Sequence, residues 1–186
     1  VLLSSLEGYA IAGIKIEGAD HEFATIKGIS EDVVEIILNL KQVRFKKKVD
    51  HDVSHEKITL SLKNKTEFTA ATIGEATQSF EVMNPELLIC TMDPSAKLDI
   101  EINIVKGRGY VPAEENKPKE APFGYIATDA IFTPIKNVKY SIENTRVEQR
   151  TDFEKLVMEV STDGTIHPEE AVKQASRILI QHLMII

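Results

Sequence analysis

A chain of 186 residues is long enough for one large domain or two small ones with real cores, and 42% apolar with 27% charged residues is ordinary for a soluble globular protein. The net charge of −7 argues against a phosphate-gripping surface, so direct binding of nucleic acid is not expected of this segment. Apolar runs far shorter than the roughly 20 residues of a membrane helix, a single cysteine (Cys90) and no secretory leader pattern point to the reducing cytoplasm and to no membrane contact.

Val1 to Leu6 opens in an apolar run without a cap and reads as the tail of a helix whose beginning is missing, with Gly8 as its C-terminal stop. Ile11 to Glu17 alternates as a strand and Gly18-Ala19-Asp20 turns the chain. Glu31 to Gln42 is predicted helical, with Ser30 as N-cap and acidic residues at the positive end of the dipole. Lys57 to Lys63 and Glu86 to Met92 follow as strands. Period two is clearest in Lys97 to Ile104, where Leu98, Ile100, Ile102 and Ile104 face one way. Ala113 to Pro122 is a Pro, Lys and Glu-rich loop. Strands are predicted at Ile135 to Glu148 and Phe153 to Val160, then a helix from Pro168 to Ile186, with Pro168 at its first position and Glu169 and Glu170 in its first turn. Both chain ends are helical and apolar, so they are expected to pack together. The middle then becomes an inserted subdomain in an α+β architecture.

No set of side chains reads as a catalytic centre. His51 and His55 are spaced four apart among Asp50, Asp52 and Glu56, a metal-binding spacing on a helix, but they lie in a segment that reads as a turn. Gly107-Arg108-Gly109 lacks the spacing and the Lys-Ser/Thr of a phosphate loop and reads as a strand end where something approaches closely. Cys90 lies in an apolar strand, as a core residue does. Arg44, Lys46, Lys47 and Lys48 suit an edge strand protected by charge. An enzyme of this size would need a convergent nucleophile, base or metal-ligand set. Neither catalysis nor a cofactor nor a metal is expected.

The two helices are the informative elements. Val33, Val34, Ile36, Ile37, Leu38 and Leu40 spread wider than one stripe, so the helix is either sandwiched inside its domain or partly covered by a partner. In Ile178 to Ile186, seven of nine residues are apolar and point in nearly every direction. Leu179, Leu183 and Ile186 share a stripe that is expected to pack on the strands between Ile135 and Val160. The remaining apolar surface is expected to mark an interface.

Lys106-Gly107-Arg108-Gly109-Tyr110-Val111-Pro112-Ala113 resembles a segment of the alpha subunit of bacterial DNA-dependent RNA polymerase. So do Arg146-Val147-Glu148-Gln149-Arg150-Thr151-Asp152, Asp163-Gly164-Thr165-Ile166 with Pro168-Glu169-Glu170-Ala171, Val1-Leu2-Leu3-Ser4-Ser5, and Glu31-Asp32 with Leu38-Asn39-Leu40-Lys41. These segments are colinear and span nearly the whole chain. His167 departs from the pattern, which places an Asp helix cap there. The resemblance implies a dimerisation subdomain from residues 1–7 and 134–186 and an inserted subdomain, residues 8–133, that contacts the large subunits. It implies a homodimer on which the beta and beta-prime subunits assemble, and a partner subunit as what approaches Gly107-Arg108-Gly109. The family's first strand, the start of its first helix and its DNA-contacting C-terminal domain are expected to lie outside this segment. The dimer residues so implied are Val1, Leu2, Ser5, Ile178, Leu179, His182, Leu183 and Ile186. The large-subunit contacts are Leu3, Glu35, Asn39, Leu40, Lys41, Arg108, Tyr110, Arg146 and Arg150. The competing reading is a dimeric α+β protein-binding module unrelated to polymerase.

Overall fold

The computed structural model describes residues 1–19, 21–147 and 150–185, without the side chains of residues 146–147 and 150–152. In chain order the elements are α1 (Leu2–Ser5), β1 (Glu7–Ile16), α2 (Val33–Leu40), β2 (Phe45–Lys47), β3 (His55–Lys63), β4 (Glu67–Thr69), α3 (Ala70–Ala76), β5 (Phe80–Val82), β6 (Leu88–Thr91) and β7 (Lys97–Arg108). They continue with β8 (Tyr110–Val111), α4 (Ala113–Asn116), β9 (Tyr125–Ala127), β10 (Ala130–Ile131), β11 (Ile135–Val147), β12 (Arg150–Thr162) and α5 (Pro168–Leu183). The fold is α+β with antiparallel sheets. It divides into two compact units, one of Val1–Leu6 with Thr133–Ile186 and one of Glu7–Phe132.

The Glu7–Phe132 unit is built on a four-stranded sheet in the order β3-β7-β1-β9. Alternation along β7 and β3 puts branched side chains on one face, in register across the strands. Ile102 lies opposite Ile14 and Ile58, Ile100 opposite Ile16 and Leu60, and Leu98 opposite Leu62. All are buried, and α2 adds Val33, Ile36 and Leu40 to the same core. Phe45, Phe68 and Phe80 from the short outer strands complete it. Each fully buried side chain of this kind contributes roughly 1.5–3 kcal/mol.

Helix α2 starts two residues later than predicted, because Ser30 is engaged elsewhere. The Ser30 N–H bonds the Thr91 carbonyl at 3.1 Å, and Ile29 bridges Met92. Asp32 takes the cap instead. Its Oδ1 accepts from the Glu35 N–H at 2.8 Å and its own N–H donates to Glu35 Oε2 at 3.2 Å, a reciprocal capping box.

Gly8 does not stop a helix. Strand β1 already runs from Glu7, and Gly8 lies where a Cβ would sit 1.8 Å from the Phe132 carbonyl oxygen. Gly107 lies opposite it across the sheet, and a Cβ there would fall 2.5–2.7 Å from the Phe132 ring. Phe132 is buried with Ala10 and Ala130 in a small second cluster, so the glycine-flanked strand end admits a residue of its own chain. The predicted loop from Ala113 begins with the one-turn helix α4, and Ala70–Ala76 forms a helix the periodicity did not disclose. Asp20, expected in a turn, lies outside the described residues.

The other unit is a long hairpin, β11–β12, with α1 and α5. Its core is small: Leu6, Ile135, Ala171 and Ala175 are buried, with Leu2, Val138, Val160, Ile166 and Ile178 packed around them. The inner face of α5 is therefore Ala171-Ala175-Ile178, an i, i+4, i+7 stripe, not the predicted Leu179-Leu183 stripe. Small residues let the helix backbone approach the sheet, which turns the leucines outward. Asp163 shapes the entry to α5, with Oδ1 accepting from the Thr165 N–H at 2.9 Å. His167 occupies the N-cap without a side-chain cap bond.

Candidate interaction surfaces

In the Glu7–Phe132 unit, α2 buries Val33, Ile36 and Leu40 and half-buries Val34 and Ile37. Its outward stripe is Glu35 and Leu38, continued by Gln42 just past its end, at i, i+3, i+7. The helix is thus amphipathic in the ordinary way, and Leu38, 51% exposed, is the one large apolar residue left on its surface.

The four contact candidates on α2 are each committed within the chain. Glu35 closes the capping box. The Asn39 Nδ2 donates to the Ile89 carbonyl at 2.9 Å. Leu40, 1% exposed, belongs to the core and presents no surface. The Lys41 Nζ lies 2.7 and 2.6 Å from the two oxygens of Asp129. Burial pushes the Asp129 carboxyl up, but the Lys41 ammonium and the Tyr110 hydroxyl outweigh it and hold the group below its ordinary value.

Tyr110 is exposed on the β8–β10 ribbon, opposite the exposed Ile131. Arg108 is exposed, and its Nη2 meets Glu7 Oε1 at 2.8 Å. Lys106 joins Glu7 at 3.0 Å and Asp52 at 3.1 Å. Hydrogen bonds from Arg108 and Lys106 hold the Glu7 carboxyl below its ordinary value. The candidates Arg146 and Arg150 have side chains outside the described residues.

In the other unit, α1 exposes Val1 and Leu3 while Leu2 faces the core and Ser5 is half-buried. On α5, Ile178 packs inward. Leu179, Ile180, His182, Leu183, Met184 and Ile185 are all exposed, and Ile186 lies outside the described residues. The hairpin adds surface that helix periodicity could not disclose. Tyr140 lies opposite Met158 and Ile142 opposite Leu156, all exposed. They share a face with the Val138–Val160 pair that packs on the core, so the apolar strip continues outward from it.

Among the described residues, no group of three or more His, Cys, Asp or Glu side chains could hold a metal ion, and no helix is long and apolar enough to cross a membrane. Glu56, beside the histidines, is used structurally. Burial raises its pKa, yet bonds from the Gln78 and Ser79 N–H groups and from Thr77 Oγ1 more than offset this and leave it lowered. The exposed surfaces are the candidate functional features.

A family model described as "RNA polymerase Rpb3/RpoA insert domain" matches residues 14–133. The chain is 63% identical over 185 residues to the DNA-directed RNA polymerase subunit alpha of Cytophaga hutchinsonii. Identity is 56% to the subunit of Flavobacterium psychrophilum and 55% to that of Bacteroides fragilis, each over 185 residues. These alignments cover 100% of this chain and 56% of each relative, so the chain spans about half the length of the relatives it matches. The chain belongs to the family of bacterial DNA-directed RNA polymerase alpha subunits, and its residues 14–133 match that family's insert domain.

Proposed function

We propose that this region is a non-catalytic assembly scaffold in the cytoplasm. Two copies associate through the unit that carries α1 and α5. The beta and beta-prime subunits assemble on the dimer, with the α2 and β8–β10 face among their contacts. Its part in transcription is to hold a nucleotidyltransferase together, without itself acting on nucleotides or DNA.

The observation that carries this reading is the apolar surface of α5. Leu179, Ile180, Leu183, Met184 and Ile185 lie exposed in sequence order at the end of a helix whose inner face is already filled. A contiguous apolar surface of this kind marks an interface. The test is co-expression of the full-length subunit with its two large partners. A tagged alpha subunit is expected to capture both in stable complex and to carry no nucleotidyl transfer alone. Recovery of alpha without either large subunit would overturn the scaffold.

A further inference from the structure

We infer that Asp129 is a positioning residue for the α2 and β8–β10 face, and that Lys41 acts through it without touching a partner. The inference rests on the scaffold function proposed above.

Lys41 caps the C-terminus of α2, with its N–H on the Ile37 carbonyl at 3.0 Å. Its side chain is 20% exposed, and the ammonium is engaged by both carboxylate oxygens of Asp129. Asp129 is itself held on both sides. Before it, the Thr128 N–H donates to the Ala12 carbonyl at 2.9 Å and Thr128 Oγ1 to the Ile11 carbonyl at 3.0 Å. After it, Ala130 pairs with Val111 and Ile131 with Tyr110. The Tyr110 hydroxyl adds a small share to holding the Asp129 carboxyl below its ordinary value. One carboxylate therefore ties the end of α2 to the start of β10, and through its pairing with β8 to the ribbon.

The exposed apolar side chains around this junction are Leu38, three residues before Lys41, and Tyr110 and Ile131 on the ribbon. Arg44 Nη1 reaches the Ile131 carbonyl at a longer 3.5 Å, a weaker tie from the segment after the helix. For Lys41 to reach a partner carboxylate, it would have to abandon a half-buried Asp129. A single partly exposed ion pair adds only modestly to stability, so the contribution expected here is to the relative placement of the apolar residues.

The test compares full-length subunits carrying Lys41→Met, Asp129→Asn, both changes, or Asp129→Glu, in competition with wild type for the two large subunits, beside thermal melting. If the pair acts as one clamp, each single change weakens capture by roughly tenfold and the double change by no more, as expected of two residues that share one interaction. Asp129→Glu retains capture, and Lys41→Asp combined with Asp129→Lys restores it. A merely structural role would lower melting temperature and capture together, whereas here melting stays near wild type. Normal capture by Asp129→Asn with loss in Lys41→Met would show that Lys41 contacts the partner directly. Losses that multiply in the double variant, or a reversed pair that melts normally without recapturing the subunits, would also overturn the clamp. The wild-type arm is read first: its failure to capture either subunit would refute the scaffold and this inference with it.

Discussion

Cys90 shows how a side chain's neighbours set its chemistry. It is fully buried on β6, and burial, aided by the nearby Glu31 carboxylate, pushes its thiol up from an ordinary 9.0 to about 12. The same Glu31 accepts from the Thr91 N–H at 2.7 Å, so its charge is held in place. Between those two values the unfolded chain releases the thiol proton and the folded chain keeps it. Stability is therefore expected to fall as pH rises from about 9 toward 12, and a Cys90→Ala variant should lose that part of the slope. Iodoacetamide at pH 8 should label the native protein on the order of a thousandfold more slowly than the urea-unfolded chain, by thiolate fraction alone. Equal labelling of native and unfolded protein would show that Cys90 is accessible. The burial of this thiol was legible in the apolar run around it. The fates of Glu35, Asn39 and Lys41 were not, because a polar side chain on a helix looks free until the distant Ile89 carbonyl or Asp129 is brought beside it. Leu38 could have been found. It shares the i, i+3, i+7 stripe of Glu35 and Gln42, which only two polar residues flag as solvent-facing.

Among the elements, long periodic strands were readable and short ones were not. Ile100, Ile102 and Ile104 alternate cleanly, and β7 runs as the central partner of β1 and β3. By contrast β2, β4, β5, β9 and β10 have two or three residues each, too few for a period to register, and tertiary pairing decides them. The same holds for α3, whose first two N–H groups donate to the Leu87 and Pro85 carbonyls across a turn. The end of β7 carries a sharper lesson. Its glycines were readable as a close approach, but Phe132 could not be named from a residue 25 positions away (132 − 107). Gly107→Ala is expected to destabilise the chain by about 1–3 kcal/mol, because its methyl meets the Phe132 ring. Phe132→Leu should relieve part of that cost, so the double variant unfolds at higher denaturant than the two single losses predict. Gly8→Ala meets the Phe132 backbone carbonyl instead, so Phe132→Leu should give it no relief. Equal relief of both alanines in urea titrations would contradict the assignment of ring and carbonyl as separate obstacles.

At the scale of the whole molecule, the unit with α1 and α5 has more apolar surface than it has core. Among the described residues its buried hydrophobic cluster is four residues, two of them alanines, and its exposed set includes Leu179, Ile180, Leu183, Met184, Tyr140, Ile142 and Leu156. Leu183 is 67% exposed, so replacing it removes little from the chain's own packing. The direct cost of aspartate there is a lower helix propensity and an unfavourable charge near the negative end of α5, together roughly 1 kcal/mol. In a two-fold dimer the same change counts on both copies, and each leucine withdrawn from an interface is worth roughly 1.5–3 kcal/mol. Leu183→Asp in the full-length subunit is therefore expected to weaken dimerisation by at least roughly a hundredfold. Sedimentation at micromolar concentration should show monomer, or aggregate if the remaining patch associates without symmetry, and no polymerase should assemble. Far-ultraviolet circular dichroism of the soluble fraction should match wild type. Ala175→Asp is the contrasting control: that residue lies in the small core, and its change should unfold the unit. A Leu183→Asp subunit that remains dimeric with a native spectrum would move the interface off α5. Tyr140→Lys on the exposed hairpin strip then decides whether β11–β12 carries it.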